Sequence, residues 1–255
     1  MTPFILTDKH DGVLRIAFNR PDKKNAITRE MYEALTQALK AASADAQVRV
    51  ALMHGSADAF TAGNDLGDFL GQDQAEFPHI VAFLDGLRTF DKPLVAAVGG
   101  VAVGIGSTLL LHCDLVYCAT NARFAFPFVN LGLVPEASSS YLLARLAGWQ
   151  RAAELLMLGE PFGADKAREI GLVAGVVAPE QLMDTALAAA GKLAQKPPAA
   201  MRLTKALMKR PYAATAAQAQ AEEMKVFRER LQSPEAKEAM TAFFEKRKPD
   251  FSRFS

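Results

Sequence analysis

The run Lys92-Pro93-Leu94-Val95-Ala96-Ala97-Val98, separated by a single glycine from Gly100-Val101-Ala102-Val103-Gly104-Ile105-Gly106-Ser107-Thr108, decides how this chain is read. A short apolar segment between proline and glycine predicts a buried strand over Pro93–Val98, and the apolar residues beyond Gly104 predict a buried helix over Gly104–His112. The turn between them leaves backbone N–H groups with no intrahelical partner, aimed at whatever sits above them. Phe60-Thr61-Ala62-Gly63-Asn64-Asp65-Leu66 is a second turn of the same kind. Two such N–H groups converging on one point hold an oxyanion. A third segment, Leu133-Val134-Pro135-Glu136-Ala137-Ser138, offers a carboxylate where another helix starts. Oxyanion donors plus one carboxylate point to proton abstraction beside a carbonyl.

Outward from these segments, strands alternate with helices. Phe4–Thr7 and Val13–Phe18 read as strands joined at Asp11-Gly12, a hairpin turn signal. Thr28 caps a helix with apolar positions Met31, Leu35, Ala38 and Leu39. Val48–His54 reads as a buried strand, Ile80–Phe90 as a helix and Leu115–Ala119 as a strand. The alternation lasts to about residue 177 and predicts an α/β fold. From Pro179 onward the pattern is helical: Leu182–Leu193, Met201–Lys209, Ala213–Leu231, and a last helix opened by Ser233-Pro234. Residues 1–195 are therefore read as a core carrying the site, and 196–255 as a helical segment with too little core to stand alone.

Composition narrows the class. A length of 255 residues fits one large domain, half of it hydrophobic and 22% charged, which is ordinary for a soluble globular enzyme. Asp8, Lys9, His10 and Asp11 interrupt the start, so no targeting leader is expected, and no run approaches the roughly 20 apolar residues of a membrane span. Cys113 and Cys118 make no disulfide framework and suit two small hydrophobes in a reducing cytoplasm. His54, His79 and His112 share no metal-ligand spacing, so no metal is expected. Residues 196–255 carry 13 Lys+Arg against 7 Asp+Glu, while the other 195 carry 16 against 21. That basic end suits a phosphate-bearing ligand, an anionic polymer or a partner subunit, or it is a solvated helix face.

Taken in order and spacing, the motifs resemble those of the crotonase superfamily, the enoyl-CoA hydratase/isomerase family. Asn19-Arg20-Pro21 with Asn25-Ala26, the Lys92–Val98 strand, Cys113-Asp114-Leu115, Phe124-Ala125-Phe126-Pro127, the Ala164…Ala167…Gly171-Leu172-Val173 stretch and Phe243-Phe244-Glu245-Lys246-Arg247 all match family motifs. The resemblance covers nearly the whole chain. It implies a spiral of ββα turns, a C-terminal helical trimerisation segment, and a homotrimer or a dimer of trimers. It implies an acyl-CoA substrate and no separate cofactor. By the same resemblance the oxyanion donors are the backbone N–H groups of Asn64 and Ile105. The family often has three consecutive glycines where this chain reads Gly104-Ile105-Gly106, so the Ile105 side chain needs a pocket of its own.

Hydratases of the family use two glutamates; the matching positions here are Thr108 and Phe128, neither of which is an acid or base at neutral pH. Glu136 stands where hydratases tend to carry glycine, and Pro135-Glu136-Ala137-Ser138-Ser139 looks like the Δ3,Δ2-enoyl-CoA isomerases. By local sequence alone Glu136 is an exposed acid at a helix start, favoured by the dipole. In the family context it is a catalytic base, desolvated among Phe128, Val129, Leu131 and Val134, which moves 3-enoyl-CoA double bonds to the 2 position. Asp65 is expected to brace its loop. For CoA, the resemblance implies Lys24, Asn25 and Ala26 along the pantetheine path, Ala62, Gly63 and Asn64 near adenine, and Phe243 and Lys246 from a neighbouring subunit. Phe243 as a core helix residue and Lys246 as a solvated cation remain the alternative. A hydratase, an enzyme of ring-containing thioesters, and a non-catalytic acyl-CoA- or RNA-binding relative are the competing functions, with nucleic acid not expected.

Overall fold

The computed structural model describes residues 2–65, 67 and 77–254, so Leu66 of the first glycine turn lies outside the described residues. The chain opens with β1 (Ile5–His10) and β2 (Val13–Phe18), an antiparallel hairpin turned at Asp11 and Gly12, both at positive φ. In α1 (Arg29–Ala44) the Thr28 side chain accepts the Met31 N–H, and Met31, Leu35 and Leu39 are buried.

One pattern is then repeated three times. β3 (Val50–His54), β4 (Ala59–Thr61) and α2 (Pro78–Thr89) form the first unit. β5 (Leu94–Val98), β6 (Val101–Val103) and α3 (Ile105–Thr108) form the second. β7 (Leu115–Ala119), β8 (Arg123–Ala125) and α4 (Ser139–Ala147) form the third. After α5 (Trp149–Ala153) come β9 (Phe162–Gly163), α6 (Ala164–Glu169), β10 (Gly175–Val177) and α7 (Leu182–Ala194). In each unit the first strand enters a six-stranded sheet, β1-β2-β3-β5-β7-β10, and the second enters a four-stranded sheet, β4-β6-β8-β9. This is the ββα spiral.

The central strands of the larger sheet are parallel and covered on both faces, so they need no polar alternation. Val50, Leu52, Val95 and Ala97 pack under Leu182, Ala186 and Ala190 of α7. Ala51, Met53, Leu94, Ala96 and Val98 face the main core. The expected Gly104–His112 helix is α-helical only over its first turn; Leu109–His112 tightens to 3₁₀ geometry.

The end of the chain forms α8 (Pro198–Lys209), α9 (Ala213–Leu231) and α10 (Pro234–Phe244), the last capped by Ser233. These helices dock on the spiral. Lys205 donates to the Lys92 carbonyl at 2.7 Å and to Asp114 at 2.6 Å, and Asp114 also accepts the Leu94 N–H at 2.7 Å. Lys92 in turn donates to the carbonyls of Ala42 and Asp45 at 2.6 and 2.8 Å. The Lys92 and Cys113-Asp114 motifs are thus the clamp for α8. Met224, Phe227, Ala236 and Met240 join the main core, whereas Leu203, Leu207 and Met208 of α8 stay exposed. No described helix is long and apolar enough to cross a membrane.

Candidate active site

The smaller sheet sets the site. β4 and β6 run parallel, with Thr61 beside Ala102. Asn64 lies three residues past Thr61 and Ile105 three past Ala102, so both turns leave the same edge of the sheet in step. Gly63 has φ +93° and Gly104 φ +56°, conformations L side chains rarely adopt. A methyl group on Gly63 would stand 2.7 Å from the Val103 carbonyl oxygen, so the turns are in direct contact. Gly63 accepts from the Ile27 N–H at 2.8 Å and Asp65 donates to the Ile27 carbonyl at 3.0 Å, which turns the Asn64 N–H away from Ile27. Ile105 opens α3, so its N–H has no intrahelical acceptor. Among the described residues no protein acceptor takes either N–H. The Ile105 side chain lies wholly in the core, which supplies the pocket that replacing a glycine required. With α3 only four residues long, the aligned peptide dipoles behind this donor are fewer than a Gly106–His112 helix would supply.

Glu136 is 2% exposed, which overturns its local reading as a surface acid at a helix start. Its Oε1 accepts the Thr108 hydroxyl at 2.6 Å. Thr108 is three residues after Ile105 on α3, and side chains at that spacing stand about 5–6 Å apart on one face. The carboxylate is therefore tied within one turn of the second oxyanion donor. Burial pushes its pKa up to about 8; the Thr108 bond pulls down and the nearby Glu223 adds a further rise. The backbone behind it is bent tightly, with Ala137 and Ser138 both at φ +60°. His112 Nε2 donates to the Ala137 carbonyl at 2.7 Å, and burial pushes that imidazole down to about 4, so it is neutral near pH 7.

A cleft of about 480 Å³ opens beside the turns. Ala26, Ala62, Gly63, Asn64 and Gly104 form one wall, and Phe128, Leu131, Leu133, Phe227, Phe243 and Phe244 form an apolar one. Glu136 is set back from this wall and does not line the cleft. Phe243 is 58% exposed and lines the cleft of its own chain, so it is not a core helix residue. Lys246 is exposed and not part of the lining, where Lys23 is the cation instead.

The early motif residues separate into facing and bracing groups. Asn25, expected along the ligand path, is buried: its amide donates to the Ala59 and Phe60 carbonyls at 2.9 and 3.1 Å, and its oxygen accepts the Arg20 N–H at 2.7 Å. Its side chain is committed to holding β4 in place. Lys24 is exposed and outside the lining; its carbonyl accepts the Ala62 N–H at 2.9 Å. Arg20 Nη1 reaches Asp65 at 2.6 Å and the Ala26 carbonyl at 3.0 Å, so Asp65 braces the oxyanion loop as expected. Burial raises the Asp65 pKa, but the Arg20 and Gly67 hydrogen bonds outweigh it and leave it lowered.

Two site residues gave no sequence signal. Tyr32 on α1 is buried and donates its hydroxyl to Asn64 Oδ1, with a pKa held well above its usual value by burial and by Glu136. Glu223 on α9 is buried beside the Glu136 loop and accepts the Ser138 and Ser140 N–H groups. A tyrosine in an apolar helical stripe and a glutamate in a charged helix look like packing and solvation until the fold brings them in. Among the described residues no group of three or more His, Cys, Asp or Glu is placed to hold a metal ion.

A sequence model described as enoyl-CoA hydratase/isomerase matches residues 8–253. The 2,3-dehydroadipyl-CoA hydratase of Escherichia coli (strain K12) is 32% identical over 252 residues, covering 97% of this chain and 98% of the relative. Enoyl-CoA delta isomerase 2 of Rattus norvegicus is 40% identical over 214 residues, which is 81% of this chain and 54% of that protein. The crystal structure of an enoyl-CoA hydratase/isomerase from Pseudoalteromonas atlantica T6c superposes with a TM-score of 0.93 at 38% identity, over 97% of this chain and 99% of the other.

Proposed function

This chain belongs to the enoyl-CoA hydratase/isomerase family, whose enzymes act on CoA thioesters, and within it we propose that the protein is an isomerase shifting the double bond of a 3-enoyl-CoA to the 2 position. Glu136 takes a proton from C2. The C2–H electron pair moves toward the carbonyl, and the resulting dienolate oxygen rests on the N–H groups of Asn64 and Ile105. The carboxylic acid then returns the proton to C4, leaving the double bond between C2 and C3. One carboxylate suffices, because the proton leaves and returns on the same group.

The observation that carries this reading is the hydrogen bond between Thr108 and Glu136. Thr108 occupies a position where a hydratase carries an acid, and here its hydroxyl serves a carboxylate supplied from the other loop. Hydration needs an activated water at C3 as well as proton delivery at C2, and Phe128 offers no group for a water. The acyl end has to meet a carboxylate set back from the cleft wall. The cleft's apolar side, formed by Phe128, Phe227, Phe243 and Leu133, suits the acyl chain, and Lys23 suits a phosphate of CoA.

Separate incubations with a 3-enoyl-CoA and a 2-enoyl-CoA, with the products identified by chromatography, test the reaction. Conversion of the first to a 2-enoyl-CoA is expected, with slow or no hydration of the second. Hydration of the 2-enoyl-CoA much faster than isomerisation overturns the reading.

Self-association into a trimer or a dimer of trimers belongs to the same proposal. Leu203, Leu207 and Met208 form an exposed apolar face on α8, and Trp149 and Met157 are exposed as well. Light scattering is expected to give three or six times the 27.5 kDa chain mass, and a stable, active monomer counts against it.

A further inference from the structure

We propose that Glu223, on α9 of the C-terminal helical segment, is a positioning residue that fixes the Glu136 loop for proton transfer; this rests on Glu136 being the base. Oε2 of Glu223 accepts the Ser138 N–H at 2.6 Å, and Oε1 accepts the Ser140 N–H at 2.9 Å and the Ser140 hydroxyl. These backbone groups are the N-cap and the second residue of α4. Ser138 does not cap α4 with its own side chain, because its hydroxyl donates to the Ala216 carbonyl at 2.8 Å. A carboxylate 85 residues further along the chain does the capping instead. It thereby holds the two left-handed residues, Ala137 and Ser138, that follow Glu136 directly.

Left-handed backbone at two successive non-glycine residues persists only where surrounding contacts over-determine it. Three contacts do so: His112 on the Ala137 carbonyl, Glu223 on the Ser138 N–H, and the Ser138 hydroxyl on α9. Two of the three come from α9, which also puts Phe227 into the cleft wall one turn beyond Glu223. The helical tail is therefore built into the site from within its own chain, whatever it does between chains.

Glu223 also acts on Glu136 through charge. Among the described residues, Tyr32 from α1, whose ring packs near His79, and Glu223 from α9 interact with Glu136 by charge, and His112 from the 3₁₀ turn binds the next residue, Ala137. His112 is neutral near pH 7 and Tyr32 protonated. One turn before Glu223 on α9, Gln220 donates to Asp85 at 2.9 Å, and Asp85 pairs with Arg88 at 3.0 Å. Among the described residues, the Ser138 N–H and the Ser140 N–H and hydroxyl all donate to the Glu223 oxygens, which favours its ionised form against the rise that burial gives its pKa.

Glu223→Gln places an amide N–H₂ against one of two backbone N–H donors, so one capping bond is lost and the loop shifts. A displacement of about 1 Å costs up to about 100-fold in rate, and kcat is expected to fall by roughly that order with KM little changed. Loss of the negative neighbour is expected to move the acid limb of the kcat/KM profile to lower pH. Glu223→Asp keeps two acceptors and the charge, so it should retain more activity than Glu223→Gln and leave that limb in place. Gln220→Ala loosens the same helix through its bond to Asp85 and should lower the melting temperature without moving the limb. If Glu136→Gln abolishes activity while Glu223→Gln keeps both wild-type kcat and the wild-type profile, the positioning role is wrong. If Glu136→Gln itself keeps full activity, the base assignment fails first.

Discussion

Glu136→Gln is expected to slow isomerisation of a 3-enoyl-CoA by about 10²–10⁴-fold, the usual worth of a positioned general base, while the CoA thioester still binds. The substitution keeps shape and volume and removes the proton acceptor. Binding should survive because the cleft walls and the two backbone donors are untouched, which isothermal calorimetry can check against the kinetic loss. In the wild type the base must be ionised to act. With its pKa pushed up to about 8, kcat/KM should rise with pH through that region and level off above it. The same shift sets a stability signature of opposite sense. The unfolded carboxyl titrates near 4.5 and the folded one near 8, so between those values the folded state binds more protons. Stability contributed here is fully present below about pH 4.5 and is lost as pH rises through about 8. Glu136→Gln should therefore melt higher than the wild type at pH 9, with the gap narrowing toward pH 5. A variant retaining full isomerase activity would remove Glu136 from the mechanism.

The elements legible in the sequence were those long enough to show a period. Thr28 and Ser233 cap the helices their positions predicted, and β2, β7 and α9 have the bounds that hydropathy gave. The smaller sheet was not legible as a sheet. Its strands are only two or three residues long, too short for any alternation, yet they carry both oxyanion turns. The glycines marked the place without revealing the strands beneath. A motif asparagine beside a ligand path and one bridging three backbone groups have the same sequence, and only burial shows that the Asn25 side chain does the second. Tyr32 and Glu223 were invisible because their partners lie 32 and 85 residues away, and only the closed spiral brings them together.

Gly63→Ala is expected to cost about 10²–10³ in kcat, the range for loss of one oxyanion donor. Two constraints meet at this residue. Its φ of +93° lies where a side chain is strained, and an added methyl would sit 2.7 Å from the Val103 carbonyl oxygen. That oxygen belongs to the backbone of β6, paired with β4 on one side and β8 on the other, so it cannot swing aside as a flexible side chain would. The turn must open, and Asn64 moves with it, pulling against its hydroxyl bond from Tyr32 and its bridge to Ile27. Gly104→Ala makes the contrast. Its φ of +56° comes with a ψ of −120°, a combination outside the left-handed well and open mainly to glycine, so the strain is in the backbone, while nothing stands within 4 Å of the added methyl. That methyl adds to the cleft lining while the relaxing backbone carries the Ile105 N–H with it, so Gly104→Ala should raise KM and lower kcat together. Circular dichroism and CoA-thioester calorimetry on both variants separate a displaced donor from a misfolded chain. A Gly63→Ala enzyme with wild-type kcat would mean that the charge developing on the thioester oxygen is held somewhere other than between these two turns.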